Sequence, residues 1–132
     1  MRRLVSAAPV GRLATVRSDG HPHVVPICFV ITDDLVYSAV DHKPKRHHHL
    51  QRVTNIAATG TASLLVDEYD DDWSRLWWVR LDGRARLVDD AAEAEQALRL
   101  LSDKYRQYRD QPPSGPVLAV EVERWVGWSA TT

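Results

Sequence analysis

Along the chain the apolar and polar positions begin with a short helical stretch, Arg2 to Ala8, which Pro9 ends. From Gly11 the pattern becomes that of strands. Gly11 to Arg17 is rich in β-formers and closes on the turn signal Ser18-Asp19-Gly20; His21 to Ile31 predicts a second strand. Its apolar residues run almost unbroken from Val24 to Ile31, which predicts burial on both faces, inside a barrel or against a partner. Pro22 and Pro26 cannot donate to a ladder, so they mark an edge or a bulge. Thr32-Asp33-Asp34 turns the chain into a third strand, Leu35 to Val40, and the three segments together predict an antiparallel meander. A helix is expected from Pro44 through Leu50 and Val53 to about Asn55, then a fourth strand over Thr61 to Val66. Trp73 to Val88 predicts a long fifth strand, with Asp82-Gly83 as a bend, bulge or turn, and Val117 to about Ala130 a sixth. Between those two, Ala94, Ala97, Leu98, Leu101, Tyr105 and Tyr108 recur at spacings of three and four, a helix from Ala91 to about Tyr108.

The order β-β-β-α-β-β-α-β leaves no room for crossover helices, which excludes a parallel doubly wound sheet. The pattern predicts a mainly β fold, a six-stranded antiparallel barrel with short helices, in one domain over residues 1–132. Composition narrows the partners. Seventeen Lys and Arg against 18 Asp and Glu give a net charge of -1, so no nucleic acid is expected. No apolar run approaches the roughly 20 residues of a membrane span, so no membrane is expected either. Arg2-Arg3 is followed by no long apolar stretch or cleavage site, and the expected compartment is the cytoplasm. The single cysteine, Cys28, excludes an internal disulfide and any Cys-rich metal site.

Three stretches could carry chemistry. Asp41-His-Lys-Pro-Lys-Arg-His-His-His49, with Arg52 one turn on, gathers cations and histidines where a strand meets a helix; this suits a phosphate or carboxylates, or is a solvated basic face. His47-His48-His49 cannot ligate one ion together, because adjacent helical side chains point about 100° apart, and no metal site is expected. In Asp70-Asp-Asp-Trp-Ser-Arg-Leu-Trp-Trp-Val-Arg80 the carboxylates read as a solvated loop. Trp77 and Trp78, consecutive on a strand, must face opposite sides. One can fill the barrel while the other meets a partner or a planar ring, unless both are simple core. Around Pro26 the backbone is free to contact a ligand, or forms an ordinary barrel corner. No nucleophile elbow, Rossmann fingerprint or Walker loop is present, and the chain reads as one that positions a cofactor.

Gly11 to Val16, Asp19 to Pro26, Tyr37 to Lys45 and the tryptophan string Asp70 to Arg80 resemble the flavin/deazaflavin split β-barrel superfamily, which contains the pyridoxamine 5′-phosphate oxidases. The tryptophan string is similar to a subgroup of probable coenzyme F420-dependent enzymes. The resemblance implies an intertwined homodimer with two cofactor sites at its interface. It places the ring against Val25, Pro26 and Ile27 and against Ser38, Ala39 and Val40, and the phosphate on Lys43, Lys45 and Arg46, joined by Arg52. It implies that Trp77, Trp78 and Arg80 come from the other copy. The implied activity is an oxidoreductase moving hydride from reduced coenzyme F420 to a small organic substrate. The alternatives are an FMN-dependent oxidase or reductase and a non-catalytic cofactor carrier. No catalytic side chain is implied, although His23 is a candidate acid.

Overall fold

Strand β1 (Gly11–Val16) turns back through Gly20, whose φ of 91° suits a residue without a Cβ, into β2 (Pro22–Ile27). The computed structural model describes residues 1–40 and 50–131. Beyond β2 the described chain forms β3 (Val30–Thr32), β4 (Leu35–Ala39), β5 (Thr61–Glu68), β6 (Trp77–Leu87) and β7 (Val117–Ser129). Helices α1 (Arg2–Ala7), α2 (Gln51–Thr59), α3 (Ala91–Lys104) and α4 (Arg106–Asp110) pack on them. Every strand pairing is antiparallel, in the order β2-β1-β5-β6-β7-β4-β3. The fold is thus mainly β, a half-barrel sheet with short helices.

The sheet has seven strands, not the six expected. The segment expected to be one strand from His21 to Ile31 breaks at Cys28-Phe29 into β2 and β3, which occupy opposite ends of the strand order. The expected three-strand meander is therefore two separate hairpins. The break has a tertiary cause. Phe29 N–H donates to the Tyr105 hydroxyl at 3.0 Å, Phe29 C=O accepts from Lys104 Nζ at 2.9 Å, and Cys28 C=O accepts from Ser38 Oγ at 2.8 Å. Side chains thus satisfy the backbone groups that a ladder would otherwise pair.

Other boundaries moved for local reasons. Trp73–Arg75 is a 3-10 turn, not strand, because the Asp72 carboxylate caps it by accepting from Ser74 N–H and Oγ. Helix α2 runs past Asn55 to Thr59, where Gly60 ends it in the left-handed region. The helix expected from Ala91 to Tyr108 is interrupted at Tyr105, whose backbone is extended. Between β6 and β7 the expected irregularity at Asp82-Gly83 is a bulge: Asp82 opposes Arg124, but Gly83 opposes Val122, leaving Glu123 extra. A Cβ at Gly83 would collide with the Glu121 carbonyl.

Two apolar clusters hold the sheet. Leu13, Ile27, Phe29, Leu64, Val66, Val79, Leu81 and Leu118 face inward, with Val5 of α1 and Ile56 of α2 packed among them. Each such side chain contributes roughly 1.5–3 kcal/mol by leaving water. The second cluster lies under α3, where Ala97 and Leu101 cover Val30, Tyr37, Ala39, Val117 and Ala119. Glu93 fastens α3 there, accepting from Tyr37 Oη at 2.7 Å and from both terminal nitrogens of Arg86.

Candidate functional site

Side-chain alternation leaves part of one sheet face open, beside the part that α3 covers. The register lines up Pro26, Arg12, Leu65, Arg80 and Val126 in one row across β2, β1, β5, β6 and β7. A parallel row holds Asp67, Trp78 and Trp128, and another holds Ser63, Asp82 and Arg124. On β5, β6 and β7 these make a platform of nine side chains, about 14 Å by 10 Å from standard strand spacings. Trp128 and Val24 are 48% and 60% exposed on this face, so the expected two-sided burial of the Val24 to Ile31 run does not occur within one copy. The prolines did mark an edge: β2 ends the strand order and Pro26 is exposed.

One end of the platform carries two indoles beside the Arg12–Asp67 ion pair, and the other carries Arg80, Asp82 and Arg124. Trp78 and Trp128 stand opposite each other, and at this end of β6 and β7 a groove of about 250 Å³, lined by Met1, Leu4, Trp77 and Val79 as well as by these two, reaches round to the inward side. Two residues further along β6, Arg80 Nε donates to Asp82 at 2.9 and 3.2 Å, and Asp82 Oδ1 also accepts from Ser63 Oγ at 2.6 Å. Partial burial would raise the Asp82 carboxyl. The bonds from Ser63 and Arg80, with the charges of Arg80 and Arg124, outweigh it and hold the carboxyl below its usual range.

The site residues expected from the sequence fall in several places. Pro26, Trp78 and Arg80 share the open face. Val25, Ile27 and Trp77 point inward and pack with the first cluster. Ser38 is buried and bonded to Cys28 C=O, Ala39 is buried under α3, and the N–H of buried Val40 donates to Pro116 C=O. Lys43, Lys45 and Arg46 lie outside the described residues, as do His47, His48 and His49. His23 faces Thr15 across the β1–β2 pair, and its buried Nδ1 has no hydrogen-bond partner among the described residues.

Arg52 stands in the first turn of α2, which is anchored through Asn55 Nδ2 donating to Thr15 Oγ1 at 3.0 Å. Burial lowers the pKa of its guanidinium, and its buried Nε has no hydrogen-bond partner among the described residues. A cation beside the positive end of a helix dipole, with a buried donor unused, is unfavourable unless an anion joins it. That fits a cofactor phosphate. The platform's donor set, indole faces beside guanidinium, fits a flat ring with a polar edge.

Sequence reasoning missed Ser63, Asp82, Arg124 and Trp128. The signal was available in the period of two: Trp78, Arg80 and Asp82 alternate on β6, and Arg124, Val126 and Trp128 on β7. Among the described residues no three His, Cys, Asp or Glu gather to hold a metal ion, and no helix is long and apolar enough to cross a membrane.

Comparison with known proteins adds the family. The sequence profile described as pyridoxamine 5′-phosphate oxidase matches residues 1–129. No curated protein matches the chain. Among solved structures, a conserved hypothetical protein of Mycobacterium tuberculosis superposes with a TM-score of 0.78 at 20% identity, covering 97% of this chain and 81% of that one. An FAD-binding protein of Mesorhizobium loti gives 0.71 at 23% identity, over 96% and 89%. The heme storage protein HutZ of Vibrio cholerae gives 0.74 at 16%, over 97% and 90%. These likenesses show a shared fold.

Proposed function

Because the chain belongs to the pyridoxamine 5′-phosphate oxidase family, we propose that it is an oxidoreductase holding a flavin-type cofactor on the open sheet face between two copies. Coenzyme F420 is the cofactor placed first and FMN the alternative. The observation that carries this reading is the platform of Trp78, Trp128, Arg80 and Pro26, on the part of its sheet face that lies beyond the cover of α3. The unused Nε of Arg52 supports a phosphate site at the start of α2.

Bound there, the tricycle supplies hydride transfer to or from a small organic substrate. One copy's part is to meet the ring with Pro26 and hold the phosphate with Arg52, and the other copy's is to cover the ring with Trp78 and meet its polar edge with Arg80. Lys43, Lys45 and Arg46 add cations by sequence position, and the excess of cations over one phosphate favours the carboxylate-bearing tail of coenzyme F420. A second copy covering Val24, Leu65 and Trp128 removes apolar side chains from water and completes the site. HutZ, named for heme storage, has the same fold, so a carrier without catalysis is the second reading.

Parallel titration of the protein with coenzyme F420 and FMN, followed by cofactor fluorescence, tests the reading. We expect saturable binding of coenzyme F420 and weaker binding of FMN, with Arg52→Ala weakening both about tenfold or more, the scale of one lost charge-assisted bond. The reverse order of affinities moves the chain to the FMN branch. Binding of neither contradicts the proposal.

A further inference from the structure

We infer that Ser63, Asp82 and Arg80 form a positioning relay which, with Arg124, makes the platform prefer the reduced, anionic form of its cofactor over the oxidised one. This rests on the cofactor reading above and assigns the relay a task within it.

The geometry is asymmetric in an informative way. Asp82 engages Arg80 through Nε alone, at 2.9 and 3.2 Å, so the two terminal nitrogens of the guanidinium keep their donors without a hydrogen-bond partner among the described residues. A pairing that served only the ion pair would present the guanidinium fork to the carboxylate. Here the fork stays open. Ser63 Oγ donates to Asp82 Oδ1 at 2.6 Å from the neighbouring strand, fixing the carboxylate that fixes the arginine. All three side chains come from paired strands, so the arrangement is rigid.

Charge balance points the same way. Asp82 lies between Arg80 and Arg124, its Cα partner on β7, and its carboxyl is influenced by both. Two guanidinium groups against one carboxylate leave a net positive charge at this end of the platform. The other end carries the two indoles beside Asp67, whose charge is met by Arg12 at 3.4 Å. A flat ring lying over Trp78 therefore meets an oriented cation at one edge. Uptake of two electrons and one proton turns the neutral oxidised ring of FMN into an anion with its negative charge on the pyrimidine edge. A fixed, partly desolvated guanidinium interacts more strongly with the anion, because its donors are already aimed and need no reorganisation. Arg80 is the group that touches the cofactor; Asp82 and Ser63 act through it.

The experiment is an anaerobic measurement of affinity for oxidised and dithionite-reduced FMN and coenzyme F420, with the midpoint potential of bound FMN as a second readout. For wild-type protein we expect at least about tenfold tighter binding of the reduced form, the scale of one charge-assisted hydrogen bond. For a two-electron couple this raises the potential of bound FMN by about 30 mV. Arg80→Gln is expected to weaken binding of both forms, the reduced form about tenfold more than the oxidised one, so that the preference is lost. Ser63→Ala leaves every charge in place, and an expected loss of about threefold in the preference reports orientation alone. A purely structural role would weaken both forms equally and leave the potential unmoved, which overturns the inference. Tight binding of both forms with no preference in the wild type also overturns it, while leaving the cofactor site standing. Failure to bind either cofactor in either form removes the cofactor reading and the relay together.

Discussion

The hydroxyl of Tyr105 accepts the N–H of Phe29 at 3.0 Å and lies 3.1 Å from the Phe29 carbonyl, so one side chain holds both backbone groups of the residue at which the sheet is split. Phe29 itself is fully buried in the main cluster. Tyr105 can reach it because α3 stops at Lys104 and the chain extends for one residue before α4. The break in the helix and the break in the strand are two sides of one contact.

Tyr105→Phe keeps the ring and removes the acceptor. Phe29 N–H is then left unpaired beside a buried side chain, which costs about 1–3 kcal/mol. Urea unfolding is expected to show a lower midpoint with an unchanged slope. An unchanged midpoint would mean that the hydroxyl does not hold the corner.

Lys104 sits at the same corner, its Nζ 2.9 Å from Phe29 C=O and over the Phe29 ring at 4.0 Å. Burial lowers its pKa from 10.5 to about 8, although the charge of Cys28 opposes this. A base whose folded pKa is depressed gains stability from deprotonation. The contribution therefore rises from about pH 8 and is complete above the unfolded value. Thermal melts at increasing pH between 8 and 10 are expected to show this rise in the wild type and not in Lys104→Met. Parallel curves for the two proteins would count against it.

At the other end of α3, the bonds from Arg86 and Tyr37 hold the Glu93 carboxyl down to about 2. This is a depressed acid, so its stabilisation is present above the unfolded pKa of about 4.5 and is lost as pH falls towards 2. Glu93→Gln should be less stable at neutral pH and should lose less on acidification between pH 4.5 and 2. Melting temperature against pH measures both; a variant with the wild-type acid slope contradicts the assignment.

The parts of the fold that local chemistry determines were legible in the sequence. Pro22 and Pro26 announced an edge strand, the adjacent Trp77 and Trp78 divided between the two faces, and Asp82-Gly83 marked the bulge. The split at Cys28-Phe29 was not legible, because its partners Tyr105 and Lys104 come from 76 and 75 residues further along the chain. The Trp73–Arg75 turn was hidden for a different reason: the aromatic run reads as strand, yet the Asp72 cap decides it. Of the expected site residues, Pro26, Trp78 and Arg80 share the open face. Val25 and Ile27 point away because neighbours in a strand cannot share a side, and Ser38 is committed to the Cys28 carbonyl. Asp82 could have been read from its spacing of two after Arg80, whereas Trp128 is placed beside Trp78 only by the β6–β7 register.

The central claim is that the open face of β2, β1, β5, β6 and β7 is shared by two copies and holds a cofactor between them. Size-exclusion chromatography with light scattering and cofactor absorbance, at micromolar protein with a saturating cofactor, tests it most directly. The account predicts a mass of two chains carrying two cofactors. A single-chain mass with cofactor bound would contradict it.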